Sequence, residues 1–358
     1  MLFAQDAPDD LIARIASPDT HIVTMTITEK GYTFGGESSG SGAPVTAVDL
    51  LVAGLRARVA EGAGPITVIS CDNLPGNGPM LARLVASRDE NLAAHATFPA
   101  TMVDRIVPAT TPADLAAVER RLGLSDQGAV VTEPFTQWVI EDSFAGDRPA
   151  WDAAGALLVA DVGPYERMKL RLLNASHSAM AYLGGLAGKE YVADVMADPE
   201  FAEYVRRLMD DDLTPTLPVP DGFDLTAYKD SLLARFANPA LRHRTAQIAM
   251  DGSQKLPPRL LEPAREVLSA GGEPRWIALA VAGWMRYVAA GRADDGAVLR
   301  VDDPLAGRLG GWPRRCSGRT CRRTASSAAW WRRHRSGWSR TGRRRPFDRW
   351  SGRSVCSK

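Results

Sequence analysis

The chain has 358 residues, 45% hydrophobic and 24% charged, enough for a sizeable core and about two domains. Its formal net charge of +1 hides an uneven spread: residues 308–358 carry 15 Arg and one Lys against one acid, Asp348, leaving 27 basic and 41 acidic residues in 1–307. No apolar run is long enough to span a bilayer, MLFAQDAPDD has neither a basic n-region nor an apolar h-region, and only Cys71 precedes residue 300; the composition therefore argues against a membrane protein, a visible signal peptide and a disulfide scaffold, and points to a reducing cytoplasm.

In chain order, HIVTMTITEKGY (residues 21–32) begins as a β-branched, apolar strand and ends in a polar turn at Gly31. GGESSGSGAP reads as a flexible loop, and VTAVDLLVAGLRARVAEG spaces its apolar residues as a helix does. GPITVISCDNLPGNGPMLARLVA follows as buried strand, loop and helix. Strands alternating with helices predict a parallel sheet, whose ligand sites lie at the carboxyl ends of its strands. Asn73 falls at such an end. Beyond about residue 160 the strand pattern fades, and the spacing predicts helices over 163–187, 189–209, 226–236, 238–252, 257–270 and 274–290. The fold class is α/β plus all-α: an α/β domain over residues 1–160, then a helical domain over 161–307.

The tail, residues 308–358, has five Trp but no Ile, Leu or Glu after Leu309, and shows no helical or strand period. Its Arg/Trp/Ser/Gly/Cys content resembles a GC-rich gene read out of frame, so it is expected to be disordered. Nucleic-acid binding through this tail, by phosphate contact and stacking, is the remote alternative. Cys316, Cys321 and His334 suggest a zinc module, but the second His of a finger is absent. His21, His95 and His243 have no second ligand at metal spacing, so no metal is expected. Gly36-x-Ser38-x-Gly40 fits a hydrolase elbow in letters only, because a polar, glycine-rich stretch separates Ser38 from the next helix.

The most informative stretch is YERMKLRLLNASHSAM, residues 165–180. At about 100° per residue, Glu166 lies roughly 60° from Lys169, His177 near 80° and Asn174 near 140°, all within one broad face. A mixed polar arc is usually the wet side of a helix. This one falls where the chain passes from α/β to helical, and ligand clefts favour such boundaries.

KLRLLNASH fits Lys-x4-Asn-x2-His, and with TITEKGY, SCDNLPGNG, FPATMVDRIVP, EPFTQWVIED and NPALRHRTAQIAMDGSQKLP the chain resembles the polyol-specific long-chain dehydrogenases, the mannitol dehydrogenase family, over residues 8–305. RHRTAQIAMDGSQKLP and VAGWMRYV look most like the fructuronate reductases of that family. The resemblance implies a partial Rossmann-like domain followed by a helical substrate domain. It also implies metal-independent hydride transfer between NAD(H) and a secondary alcohol or its ketone, D-mannonate/D-fructuronate first and D-mannitol/D-fructose as the alternative. By position, Lys169 would be the general base, Asn174 and Asn73 would hold the developing alkoxide, and His177 would orient the substrate hydroxyl. Asp104 and Lys255 would bind outer hydroxyls, Glu166 would gate proton exit, and Glu29 would touch the cofactor. A monomer taking a small sugar acid or polyol is expected.

These residue types suit the chemistry. Removing the O–H proton as hydride departs needs a base, and a lysine serves when burial lowers its pKa toward neutrality. Neutral amides stabilise the oxygen charge without quenching that base. A uronate carboxylate also needs a cation, and LRHRT offers Arg242 and Arg244, either as a bidentate grip or as a basic solvated face.

The sequence contains no G-x-G-x-x-G, the turn that cradles a dinucleotide's pyrophosphate at a helix N-terminus. The family's first βαβ unit would precede residue 1, and the family's helices would continue past VDDPLAGRLGG. A folded but inactive remnant is therefore the alternative to an active enzyme. The 358-residue chain is expected to show no NADH binding by calorimetry at concentrations that saturate an intact homologue. Tight binding would show that the half-domain suffices.

Overall fold

The computed structural model describes residues 3–4, 6–28, 31–32 and 46–309. They fall into two compact units: Met1–Ser176 with Met209–Arg242, and His177–Leu208 with the chain from His243 onward. Glu29, the Ser38 elbow, and the Cys316, Cys321 and His334 group with the rest of the tail from residue 310 lie outside the described residues.

The first unit opens with α1 (Pro8–Ala16), β1 (Ile22–Met25), α2 (Ala47–Glu61), β2 (Ile66–Ser70), α3 (Asn77–Ala86) and β3 (Ala96–Thr97). The three strands form the expected parallel sheet in the order β1-β2-β3, with Ile22 opposite Thr67, Met25 opposite Ser70 and Ile66 opposite Ala96. All five residues of β2 are buried, as its unbroken ITVIS run requires of a central strand. Thr46 and Asp49 close a capping box that starts α2. From there Val48, Leu51, Val52 and Leu55 pack with Ile66, Val68, Leu81, Leu84 and Val85. Each such side chain contributes about 1.5–3 kcal/mol.

A second sheet holds β4 (Thr101–Asp104), β5 (Gln137–Glu141) and β6 (Leu157–Val159), with α4 (Pro112–Leu122) between β4 and β5. It is mixed rather than parallel. β4 runs antiparallel to β5 with Asp104 opposite Gln137, and β6 runs parallel to β5. Asn77 ties the two sheets. Its Nδ2 donates to the carbonyls of Ser70 and Asp72 at 3.1 and 3.0 Å, and its Oδ1 accepts the Thr101 N–H at 2.9 Å. A Cβ at Gly78 would lie 2.4 Å from the Phe98 carbonyl oxygen, so only glycine lets α3 start this close to the chain entering β4.

The predicted helix 163–187 is present but not uniform. It runs as α-helix over Gly163–Met168, π-helix over Lys169–Asn174 and α-helix over Ala175–Leu186. The Ala175 N–H reaches back five residues to the Leu170 carbonyl, as a π-turn requires. The even 100° spacing used to place Asn174 and His177 is therefore corrected: a π-turn re-registers everything after Lys169.

Predicted helix 226–236 is observed as Leu225–Phe236, and 274–290 as Arg275–Ala290. Residues 189–209 instead break into Val192–Met196 and Pro199–Arg207, then enter a π-turn over Leu208–Leu213. Pro199 starts the second of these with Asp198 as its cap. Residues 238–252 hold only Pro239–Leu241 as 3₁₀ turn and Thr245–Ile248 as helix, with left-handed backbone at Arg242 and Asp251. The next run, 257–270, begins as π-helix before Glu262–Ser269.

The second unit is helical. Its core includes Tyr182, Val195, Tyr204, Leu208, Ile277, Ala280 and Tyr287. The Tyr182 and Tyr287 rings meet edge to face at 5.5 Å, and the Tyr204 hydroxyl donates to the Trp276 carbonyl at 3.0 Å. Among the described residues no helix is long and apolar enough to cross a membrane.

Candidate active site

Lys169 begins the π-turn and is only 8% exposed. Its ammonium donates to Asn73 Oδ1 at 2.6 Å and to the Val103 carbonyl at 2.5 Å. Asn73 stands three residues past β2, in the turn that Asn77 holds through Asp72, and Val103 is the penultimate residue of β4. The carboxyl ends of two strands, one from each sheet, thus converge on one lysine nitrogen. With its carbonyl oxygen turned to Lys169, Asn73 keeps both amide hydrogens for another acceptor.

Glu166 lies one turn before Lys169, and its carboxylate accepts the Gly76 N–H at 3.0 and 3.3 Å. Gly76 is left-handed, with φ 59°, and caps α3, so the carboxylate sits at a helix N-terminus. Burial raises the Glu166 pKa above the usual carboxylate range, opposed by the Gly76 hydrogen bond and the Lys169 charge. This carboxyl is therefore easier to protonate than a surface glutamate, which suits a proton relay. Asn174 closes the same π-turn and is partly buried.

Asp104, expected to meet a substrate hydroxyl, ends β4 and is buried with its carboxylate committed to a cation. Arg235 Nη1 and Nη2 bind its two oxygens at 3.0 and 3.1 Å. The same guanidinium reaches Glu133 at 2.9 and 2.7 Å, and its centre lies 3.9 Å from the Phe135 ring centroid. Glu133 in turn accepts the Ile106 N–H at 2.6 Å. Burial alone would lower the Arg235 pKa, but the hydrogen bonds and charges of Asp104 and Glu133 raise it. Asp104 would therefore meet a hydroxyl as part of a charged pair.

At the end of β1, the Asp72 carboxylate accepts the N–H groups of Ile27 and Thr28 at 3.0 and 2.7 Å and the Tyr32 hydroxyl at 2.7 Å. It fixes the chain leaving β1. Thr28 takes φ 61°, a strained value for a β-branched residue, immediately before Glu29. Burial pushes the neighbouring Cys71 thiol up to about 11, which leaves it protonated and unreactive at neutral pH.

In the second unit His177 is 6% exposed, and its ring stands nearly perpendicular to that of His243, centroids 5.2 Å apart. Lys255 lies on the short helix Gly252–Leu256 and is half-buried. Arg244 is exposed and ion-paired with Glu190, which favours the solvated reading of LRHRT at this position. Arg242, in the first unit, is also exposed and lies near enough to Asp114 to help lower that carboxyl's pKa, after the Thr111 hydrogen bonds. No group of three or more His, Cys, Asp or Glu residues able to hold a metal occurs among the described residues.

Sequence reasoning missed Arg235, Glu133, Asn77 and Asp72. No spacing marks them, because each acts on a residue distant in the chain or through backbone groups. The pairing of His243 with His177 has no signal in the sequence.

Comparison with known proteins comes to one answer. The mannitol dehydrogenase Rossmann domain profile matches residues 2–153, and the mannitol dehydrogenase C-terminal domain profile matches 161–317. The chain is 47% identical over 322 residues to a D-mannonate oxidoreductase of Escherichia coli, covering 84% of this chain and 66% of that protein. It is 39% identical over 333 residues to a mannitol 2-dehydrogenase of Phaeosphaeria nodorum, covering 86% and 58% respectively. The solved mannitol 2-dehydrogenase of Pseudomonas fluorescens, a ternary complex with NAD and D-mannitol, superposes with a TM-score of 0.73 at 39% identity. That match covers 87% of this chain and 68% of the other. The chain thus spans about two thirds of the length of the D-mannonate oxidoreductase it matches.

Proposed function

The chain belongs to the mannitol dehydrogenase family, and on that premise we propose that it transfers hydride between NAD(H) and a secondary alcohol, or its ketone, of a six-carbon sugar acid or sugar alcohol. D-mannonate/D-fructuronate is the favoured pair, supported by 47% identity to a D-mannonate oxidoreductase against 39% to a mannitol 2-dehydrogenase. D-mannitol/D-fructose is the second reading, favoured by the likeness to a complex holding NAD and D-mannitol.

The observation that carries the proposal is the bond between Lys169 Nζ and Asn73 Oδ1. In the oxidative direction NAD accepts the hydride from the carbinol carbon. Neutral Lys169 takes the hydroxyl proton, and the C–O bond becomes a carbonyl. Asn73 and Asn174 donate amide hydrogens to the oxygen while it carries charge. Glu166 passes the proton from the Lys169 ammonium outward. His177 and Lys255 orient the hydroxyls, as Asp104 does with its Arg235 partner.

The parallel β1-β2-β3 sheet fits nucleotide binding, and Glu29 is the proposed cofactor contact. The N–H groups of Ile27 and Thr28 are already taken by Asp72, so they do not supply a phosphate cradle. We place the protein in the cytoplasm, a reading supported by Cys71 being the single cysteine in the first 300 residues, and take it as a monomer.

Assay with NAD and either D-mannonate or D-mannitol, following NADH formation, tests the reading in a repaired chain that carries a G-x-G-x-x-G unit. Turnover of that chain with neither substrate would sink it. The uronate assignment has its own check. A residue that grips the carboxylate contributes about 1.5–3 kcal/mol, roughly ten- to hundredfold in kcat/KM. Since Arg244 is held at the surface by Glu190, Arg244→Ala is expected to stay near the parent on D-fructuronate, and Arg242→Ala is the variant in which a selective loss against D-fructose should appear. If neither variant discriminates and D-fructose is the better substrate, the mannitol reading replaces the uronate one.

A further inference from the structure

His243 has three features that belong together. Its side chain is half-buried, and Nδ1 is wholly enclosed without a hydrogen-bond partner among the described residues. Its ring stands at 83° to that of His177, 5.2 Å away. Its backbone is strapped on both sides: the His243 carbonyl accepts the Val192 N–H at 3.0 Å, and the Thr245 N–H donates to the Glu190 carbonyl at 2.9 Å. The Thr245 hydroxyl adds a bond to the Lys189 carbonyl at 2.9 Å.

A buried polar atom left unpaired is costly, and native proteins rarely keep one without a reason. Here the ring's shape supplies a reason that its nitrogen does not. An imidazole in a helix can turn about two side-chain torsions, and a perpendicular aromatic wall removes that freedom. The wall is itself immobile, because residues 243–245 are pinned to 189–192. Burial lowers the His243 pKa, which favours the uncharged ring beside His177.

We infer that His243 is a positioning residue: its half-buried ring, on a strapped backbone, fixes the plane of the His177 imidazole. The inference rests on the proposed role of His177 in orienting a substrate hydroxyl. It extends that role to a residue that touches no substrate, and it requires the ring of His243 rather than its nitrogen.

The test uses the full chain with His243→Phe, His243→Ala and His243→Asn. The first readout is the side-chain rotamer distribution of His177, taken from three-bond couplings in histidine-labelled protein, with the exposed His21 and His95 as references. The second is KM against kcat for D-mannonate with NAD, with the same substitutions in the repaired chain. His243→Phe should keep a single His177 rotamer, parental kinetics and a melting temperature equal to or above the parent's, because it removes an unpaired nitrogen while preserving the ring. His243→Ala should give averaged His177 couplings and raise KM by about tenfold or more, as small misplacements of a positioning group do. His243→Asn, which keeps a polar atom but loses the wall, should resemble His243→Ala. If Asn is tolerated and Phe is not, the nitrogen matters and the inference is overturned. It is equally overturned if His177 keeps one rotamer in a folded His243→Ala. Should the repaired parent form no NADH with D-mannonate or D-mannitol, the functional reading falls, while the couplings still decide whether His243 fixes His177.

Discussion

Lys169→Ala, in a repaired full-length chain, is expected to lower turnover by about 10²–10⁴-fold, the range a positioned general base contributes. The loss should appear in kcat and kcat/KM alike, because proton removal belongs to the transition state and not to substrate binding. The structure sharpens this beyond a missing base. Lys169 Nζ is the group on which the Asn73 side chain and the Val103 carbonyl converge, so its removal leaves Asn73 Oδ1 without that donor. The variant should therefore also disturb the placement of the Asn73 amide. Asn73→Ala in the Lys169→Ala background should cost much less than in the parent, since residues acting as a unit are not additive. A Lys169→Ala enzyme with near-parental kcat at neutral pH would remove Lys169 from the reaction. Full additivity of the two substitutions would leave the base in place but separate Asn73 from it.

How much of this was legible in the sequence depends on the distance over which each feature is written. Lys169, Asn174 and His177 lie within nine residues of one another and Asn73 sits just past a buried apolar strand, so local pattern put them on one helix face and at a strand end, while their roles came only from the family resemblance. The β1-β2-β3 sheet was legible for the same reason: ITVIS has the unbroken apolar character of a central parallel strand. The π-turn over Lys169–Asn174 was not, because an extra backbone residue leaves the spacing of Met168, Leu172 and Leu173 looking helical. The break at Pro199 was written in the sequence, since proline begins a helix far more readily than it continues one; the predicted helix 189–209 ran through it. The left-handed residues Arg242 and Asp251 were not, because neither residue type requires that conformation. Asp104 shows the deeper limit. Its position at a strand end was readable, but its partner lies 131 residues on, and nothing in either segment names the other.

That partner supports the prediction with the largest expected effect on stability. Arg235→Met should destabilise the fold by about 3–5 kcal/mol, the cost of removing one member of a buried ion network. The reason is asymmetry. Arg235 is the cation that holds Asp104 and Glu133, through bonds of 3.0 and 3.1 Å to one carboxylate and 2.9 and 2.7 Å to the other. All three side chains are enclosed, at 7% exposure for Arg235 and 2% for each acid. Without the guanidinium two carboxylates remain buried with no cation between them, and one must take up a proton or drag in water. Arg235→Lys should recover only part of the loss, because an ammonium cannot form the two parallel bonds to Asp104. The network as a whole is a different matter. Its Coulombic gain is set against the desolvation of three charges, so replacing Arg235, Asp104 and Glu133 together by apolar residues of similar volume should cost far less than Arg235→Met alone. Urea unfolding of the three variants would settle it. If Arg235→Met loses less than about 1 kcal/mol, as an exposed ion pair would, the network is solvated in solution. Asp104 would then be free to meet a substrate hydroxyl alone, without its arginine.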